Sequence, residues 1–293
     1  MKKNFTILLA LTMVLISFVL YLSSCQRSES KQKTGSWVEI KGSDTMVHLV
    51  SAWAEEFMKE NPGKEISVTG GGSGTGIAAL LNETTDICAA SRELKEKEEK
   101  LAQEKGISPI RTEVAKDGIA VIVNQKNPVN ALTLEQLQKI FTGASTNWKQ
   151  FGGPDQEIVI LSRESNSGTY VFFQERVLNK KDYAPSAKLM PATSSIVQSV
   201  SSSEGAIGYA GLGYALEAEG KVKILLVKKD SSSPEVSPSL KTVQDGTYPI
   251  SRPLQLYTKG DPPGTVKEFI DFSLSPAGQK IVKETGYIPI REF

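Results

Sequence analysis

The stretch Arg163-Glu164-Ser165-Asn166-Ser167-Gly168-Thr169 combines a guanidinium, hydroxyls and a glycine in the arrangement that anion chemistry needs. It follows the apolar run Ile158-Val159-Ile160-Leu161 and precedes Tyr170 to Leu178, the order of a buried strand, a loop and an amphipathic helix. A helix N-terminus offers unpaired backbone N–H groups and the positive end of a dipole. Ser167, Gly168 and Thr169 would add two hydroxyls and an unobstructed backbone there. Arg163, at the end of the strand, could close a planar fork of donors on a tetraoxyanion. The plainer reading is that Ser167 only caps the helix and Arg163 makes a surface ion pair. Two further loops repeat the chemistry. Gly42-Ser43-Asp44-Thr45 precedes Met46, Val50, Trp53 and Phe57 at helical spacing, and the glycine cluster from Gly70 to Gly76, with Ser73 and Thr75, precedes Ile77 to Leu81. Three helix N-termini of one chemistry point to convergence on one ligand.

The elements that must position these loops alternate along the whole chain. Trp37 to Ile40 reads as a strand feeding the Ser43 loop, and the first helix stops at Asn61-Pro62-Gly63. Ile66 to Val68 leads into the glycine cluster, and Asp86 to Arg92 is a strand whose carboxyl end carries Ser91 and Arg92. Ligands of open α/β sheets bind beyond such ends. Glu93 to Lys105 is charged enough to be a solvated helix, with Leu94 and Leu101 inward. Ile119 to Val123 is a buried strand, and Thr133-Leu134-Glu135-Gln136 has the capping-box pattern. Thr193 to Ser195 could cap a helix through Val200, Ala206 to Ala210 and Val222 to Val227 are strands, and residues 228–239 form a loop. Leu254 to Thr258 is a late strand and Thr265 to Ser273 a late helix. The class is α/β.

The first 24 residues have another character. Lys2-Lys3, an apolar run from Phe5 to Leu20 and Leu22-Ser23-Ser24-Cys25 form the three parts of a secretory signal, whose ending resembles the lipobox of bacterial lipoproteins. A single membrane anchor is the alternative, and would also leave the remainder outside. Residues 25–36 carry almost no apolar side chain and are expected to be a flexible tether. Without the leader's two lysines, 32 basic residues face 33 acidic ones, so the chain has no electrostatic footprint for nucleic acid. An anion must then be held by local groups. Of the two cysteines, Cys25 is claimed by lipidation and Cys88 lies in an apolar run as a small hydrophobe.

Taken in order, Gly42 to Met46, Gly70 to Gly76, Asp86 to Arg92, Asp117 to Val121, Phe141-Thr142-Gly143 with Asn147-Trp148, Arg163 to Thr169, Gly205 to Tyr209 and Tyr248 to Pro253 resemble the substrate-binding protein of bacterial phosphate ABC transporters, in its lipoprotein form. The resemblance implies a two-lobed periplasmic-binding-protein fold of type II with a ligand cleft between the lobes and two chain crossovers. With crossings near Lys116-Asp117 and Pro249 to Arg252, lobe one comprises residues 37–116 plus 252–293, and lobe two residues 117–251. Its phosphate ligands map onto Thr45 and Met46, Ser73, and Arg163, Ser167, Gly168 and Thr169, with Ser43, Asp44, Ser91 and Arg92 as neighbouring candidates. Where well-known members have Ser-Asp, the Asp accepting a proton from bound phosphate, this chain has Ser91-Arg92. Asp44 is a candidate replacement acceptor, against its alternative as an N-cap of the first helix, while Asp86 and Asp117 are explained by strand-end and hinge structure.

The function implied is extracytoplasmic capture of inorganic phosphate and delivery to the transmembrane subunits of an ABC permease. The protein would be a monomer, lipid-anchored through Cys25 on the periplasmic side or cell surface, with no cofactor and no metal. Other readings are a receptor for another tetraoxyanion such as sulfate, molybdate or tungstate, a phosphate sensor or adhesin, and a phosphatase using Ser73 or Ser167. The last conflicts with the residues: the one histidine, His48, lies in the first helix pattern, no Gly-x-Ser-x-Gly elbow is present, and the glycine cluster lacks the Lys of a P-loop.

Overall fold

Short apolar runs in this chain become central strands of a nine-stranded sheet, in which Ile87–Ala90 and Ala206–Gly211 bury every residue, as strands covered on both faces do. The computed structural model describes residues 37–291, so the expected leader, the tether and Cys25 lie outside the described residues. The strands are β1 Trp37–Gly42, β2 Glu65–Thr69, β3 Ile87–Ala90, β4 Ile110–Asn124, β5 Ala131–Thr133, β6 Val159–Arg163, β7 Lys188–Met190, β8 Ala206–Gly211, β9 Val222–Ile224, β10 Leu226–Lys228 and β11 Ser251–Thr258. The helices are α1 Val47–Glu60, α2 Ser73–Leu81, α3 Glu96–Glu104, α4 Leu134–Phe141, α5 Gly168–Arg176, α6 Thr193–Ser202, α7 Leu212–Glu217, α8 Leu240–Gln244, α9 Gly264–Leu274 and α10 Pro276–Glu284.

The sheet runs β2-β1-β3-β11-β4-β8-β6-β7, with β9 also on β4. β2, β1 and β3 are mutually parallel, β11 is antiparallel to β3 and β4, and β4 is antiparallel to β8. Two apolar cores lie along this one sheet, as the expected two-lobed fold requires. One apolar core, with Val38, Ile40, Trp53, Phe57, Leu254 and Phe269, packs around the first four strands of that order. A second, with Ile119, Phe141, Trp148, Phe173, Ile207 and Tyr209, packs beyond β4. Each large side chain buried this completely contributes about 1.5–3 kcal/mol. Residues 110–118 of β4 pair with β11, and residues 119–124 with β8 and β9, so one strand serves both cores.

α1 buries Leu49, Val50, Trp53, Ala54 and Phe57, the stripe its spacing predicts, and ends where the Asn61 side chain donates to the Phe57 carbonyl. The capping box at Thr133 and Gln136 forms in both directions. Several expectations need correction. β4 begins at Ile110 rather than near Ile119, because its charged first half takes its backbone partners from β11 and shows no apolar run. The expected strand from Val222 to Val227 is two strands, broken at Leu225, whose buried side chain joins the second core while β10 turns away to pair with β5. In α3, Leu101 is exposed and Ala102 faces inward. α10 follows α9 directly and was not foreseen.

Gly42 ends β1 at φ +145°, and a Cβ there would lie 2.1 Å from the Ala89 carbonyl oxygen. Gly42→Ala should therefore cost about 1–3 kcal/mol, read as a lowered urea midpoint with an unchanged slope. A midpoint equal to wild type would refute this close approach.

Candidate anion site

Two chain segments at the carboxyl ends of β1 and β3, and one helix start, bring three serines of the first lobe together. Ser43 follows β1 and is held by its N–H to the Ala89 carbonyl at 2.7 Å. Ser91 follows β3, and Ser73 opens α2. The Ser43 hydroxyl donates to Ser91 Oγ at 2.9 Å, Ser73 and Ser91 hydroxyls lie 3.2 Å apart, and the Ser91 N–H donates to Ser73 Oγ at 3.0 Å. All three residues are buried.

The start of α5, in the second lobe, closes on this cluster. Gly168 fits so tightly that a Cβ would lie 2.3 Å from Ser73 Oγ and 2.6 Å from Ser91 Oγ. Thr169 Oγ1 is 2.8 Å from Thr45 Oγ1, a contact between hydroxyls of the two lobes. Ser167 caps α5, accepting from the N–H groups of Thr169 at 3.2 Å and Tyr170 at 3.4 Å. The plainer reading of its side chain is thus realised, at a residue that is nevertheless buried beside the cluster. Met46 contributes its side chain to the first core.

The charge at the centre belongs to residues that the sequence reading left out of the site. Arg252, at the start of β11, donates through Nη2 to Thr169 Oγ1 at 2.9 Å and lies 3.4 Å from Thr45 Oγ1. Its Nη1 donates to the Ser91 carbonyl at 2.9 Å. The same guanidinium pairs with Asp117 of β4 at 2.9 Å, and Asp117 also accepts the Leu212 N–H at 3.1 Å. Both side chains are almost wholly buried. Burial pushes the Asp117 carboxyl up and the Arg252 guanidinium down, and each partner's charge opposes the other's shift. The available signal was an arginine at one expected crossover and an aspartate at the other, two positions that a shared hinge must juxtapose.

The other two arginines have carboxylate partners. Arg163 donates to the Met190 and Pro191 carbonyls and to Thr193 Oγ1, and its Nη1 lies 3.2 Å from Asp44 Oδ2. Asp44 Oδ2 also accepts the Thr193 N–H at 2.7 Å. The Asp44 carboxylate therefore meets a helix N-terminus, but that of α6 in the opposite lobe rather than that of the first helix. Arg92 forms a two-pronged bond with Glu98, at 2.7 and 2.8 Å, and donates to the Glu93 carbonyl. Burial alone would raise Glu98; hydrogen bonds from Arg92 and the Lys95 N–H outweigh it and hold the carboxyl below its ordinary value. Asp86 accepts the Glu39 N–H.

The clustered groups are hydroxyls, backbone N–H groups and the Arg252–Asp117 pair, an arrangement that can bind an oxyanion, and no histidine is among them. His48 is instead stacked on Tyr214, with ring centroids 4.3 Å apart, and lies 3.4 Å from Glu217. Among the described residues no group of three or more His, Cys, Asp or Glu could hold a metal ion, and no helix is long and apolar enough to cross a membrane.

A family model described as a PBP superfamily domain matches residues 27–277. Phosphate-binding protein PstS of Bacillus subtilis is 34% identical, in an alignment covering 100% of this chain and 96% of that protein. Protein SphX of Synechococcus elongatus is 36% identical across 86% of this chain and 77% of its own length. Among solved structures, that of a phosphate ABC transporter substrate-binding protein with bound phosphate from Clostridium perfringens has a TM-score of 0.79 at 33% identity, covering 87% of this chain and 100% of that one.

Glu98→Gln strips Arg92 of its counter-charge and should cost about 1–2 kcal/mol at pH 7, a value reduced for the part-exposed carboxylate. The folded-state pKa of Glu98 lies below its unfolded value, so its contribution is present above about pH 4.3 and is lost as pH falls through the lowered value. Urea titrations of both proteins at pH 7 and pH 3 should show the gap narrowing in acid; an equal gap at both would contradict this role.

Proposed function

Because this chain belongs to the family of phosphate ABC transporter substrate-binding proteins, within the PBP superfamily, we propose that it captures inorganic phosphate between its lobes and delivers it to the transmembrane subunits of an ABC permease. The observation that carries the reading is the meeting of Thr45, Thr169 and Arg252, from the first lobe, the second lobe and the crossover strand. Phosphate would take hydrogen bonds from Ser43, Thr45, Ser73, Ser91 and Thr169 and from the Gly168 backbone N–H. Arg252 supplies a charge-assisted donor. Arg163 and Asp44 brace the closed rim through α6, and Arg92 stands behind Ser91, held by Glu98. Closure then follows from a ligand whose donors are divided between lobes that hinge near residues 116–118 and 250–252.

Arg252→Gln should weaken phosphate binding by roughly two to three decades, the cost of removing a charged partner inside a closed site. Lys149→Ala should change it by less than about twofold, since Lys149 is exposed and pairs with Asp155 on the surface. Titration calorimetry with phosphate, and with sulfate in competition, measures both; similar small losses in the two variants would remove Arg252 from the site.

Anchoring through a lipidated Cys25 belongs to the same reading, with a monomer displayed outside the cytoplasmic membrane. One acyl chain anchors only marginally, whereas the two chains of a diacylglyceryl group hold firmly. Cys25→Ser should abolish incorporation of labelled fatty acid and shift the protein from the detergent phase to the aqueous phase. Undiminished labelling would contradict the assignment.

A further inference from the structure

One contact between the lobes lies outside the hydroxyl cluster and involves the chain's one histidine. α1 turns its apolar stripe into the first core and leaves His48 exposed. α7 packs Tyr214 and Ala215 into a cluster with Ala120 and Ile122 of β4 and Leu161 of β6, so it moves with the second lobe. The His48 ring stacks on Tyr214, with centroids 4.3 Å apart and planes inclined by 24°, and His48 Nδ1 lies 3.4 Å from Glu217 Oε1. The Tyr214 hydroxyl donates to the Asp44 carbonyl at 3.1 Å, which holds the phenol ring in place for the stack.

Of these three side chains, only the imidazole is of a type that changes charge between about pH 5 and 8. Burial, and then the nearby Asp44 and Glu217 carboxylates, push the Tyr214 phenol up, so it stays neutral. An imidazolium at His48 gains a charge-assisted bond to Glu217 and lies against an aromatic face. The other charged residue lining the adjoining cavity of about 420 Å³ is Lys221, which opposes that charge, while α6 lines it with uncharged side chains only. Along the chain, Asp44 lies four residues before His48, its carboxylate already engaged by Arg163 and the Thr193 N–H, and Glu55 follows seven residues later on the same helix face. The His48 and Glu217 side chains are 45% and 61% exposed, so the proton exchanges freely with solvent and the pair acts with modest strength.

We propose that His48, Tyr214 and Glu217 form a pH-sensitive latch between the lobes, which closes the cleft more firmly when the imidazole is protonated and so tightens retention of the bound ion as pH falls. The imidazolium has its partners in the closed arrangement and loses them when the lobes part. The extra stability of closure is therefore present below the range in which imidazoles titrate and is lost as pH rises through it. The consequence for the ion rests on the phosphate-binding reading above; the contact between the lobes does not.

Titration calorimetry with inorganic phosphate at pH 5.5 and pH 8, on wild type, His48→Gln and Glu217→Gln, tests it. Phosphate itself titrates in this range, so the quantity read is the ratio of variant to wild-type dissociation constants at each pH. For His48→Gln that ratio should be about two- to fivefold larger at pH 5.5 than at pH 8, the span expected of an exposed charge pair. Glu217→Gln, which keeps the histidine and removes its counter-charge, should show the same rise. A ratio equal at the two pH values in both variants overturns the latch. Small-angle X-ray scattering of the ligand-free wild type should show a more compact particle at pH 5.5 than at pH 8, a difference lost in both variants. If the wild type binds no phosphate at either pH, the phosphate-binding reading falls and the scattering alone decides the latch, an equal size at both pH values overturning it.

Discussion

The ion pair of Arg252 and Asp117 is the constraint on which the cleft depends. Two charges withdrawn from water carry an effective penalty of several kcal/mol each, and their attraction offsets it only when the remaining lone pairs and protons are also satisfied. Here Asp117 accepts the Leu212 N–H, and Arg252 donates to the Ser91 carbonyl and the Thr169 hydroxyl. Those partners come from both lobes, so the pair is fully compensated in the closed arrangement. Its location on adjacent strands β4 and β11, where the chain passes from one core to the other, joins hinge geometry to the chemistry of the site.

The cluster is built from neutral donors with few uncompensated charges. Arg92 is answered by Glu98, Arg163 by Asp44 and Arg252 by Asp117, which agrees with a chain whose total charge is near zero. An oxyanion would then be recognised by hydroxyl and N–H geometry at short range, which salt screens far less than a broad surface potential. The same economy makes the lobes cohere. Asp44 bridges to α6, Asn166 donates to the Gly71 carbonyl, and the Gly74 N–H donates to the Asn166 carbonyl, so the loops that would hold the ligand also hold each other.

What the sequence by itself determined was the alternation of strands and helices, the α/β class, the family, and the loops that meet in the cleft, because each is written in local signals: apolar period, glycine and proline breaks, and hydroxyl residues before helix starts. The stripe of α1, the Thr133 capping box and the Ser43, Ser73 and Thr169 positions are of this kind. Tertiary structure alone decided which arginine stands at the hydroxyls. Residue type and loop position pointed to Arg163 and Arg92 and passed over Arg252, but a guanidinium reaches several ångströms and takes whichever acceptors surround it. Glu98, the Met190 and Pro191 carbonyls and Asp117 are up to 135 residues distant from the arginines they hold. The first half of β4 was equally illegible, since a charged strand is stabilised by a neighbour that lies far along the chain and leaves no period of its own.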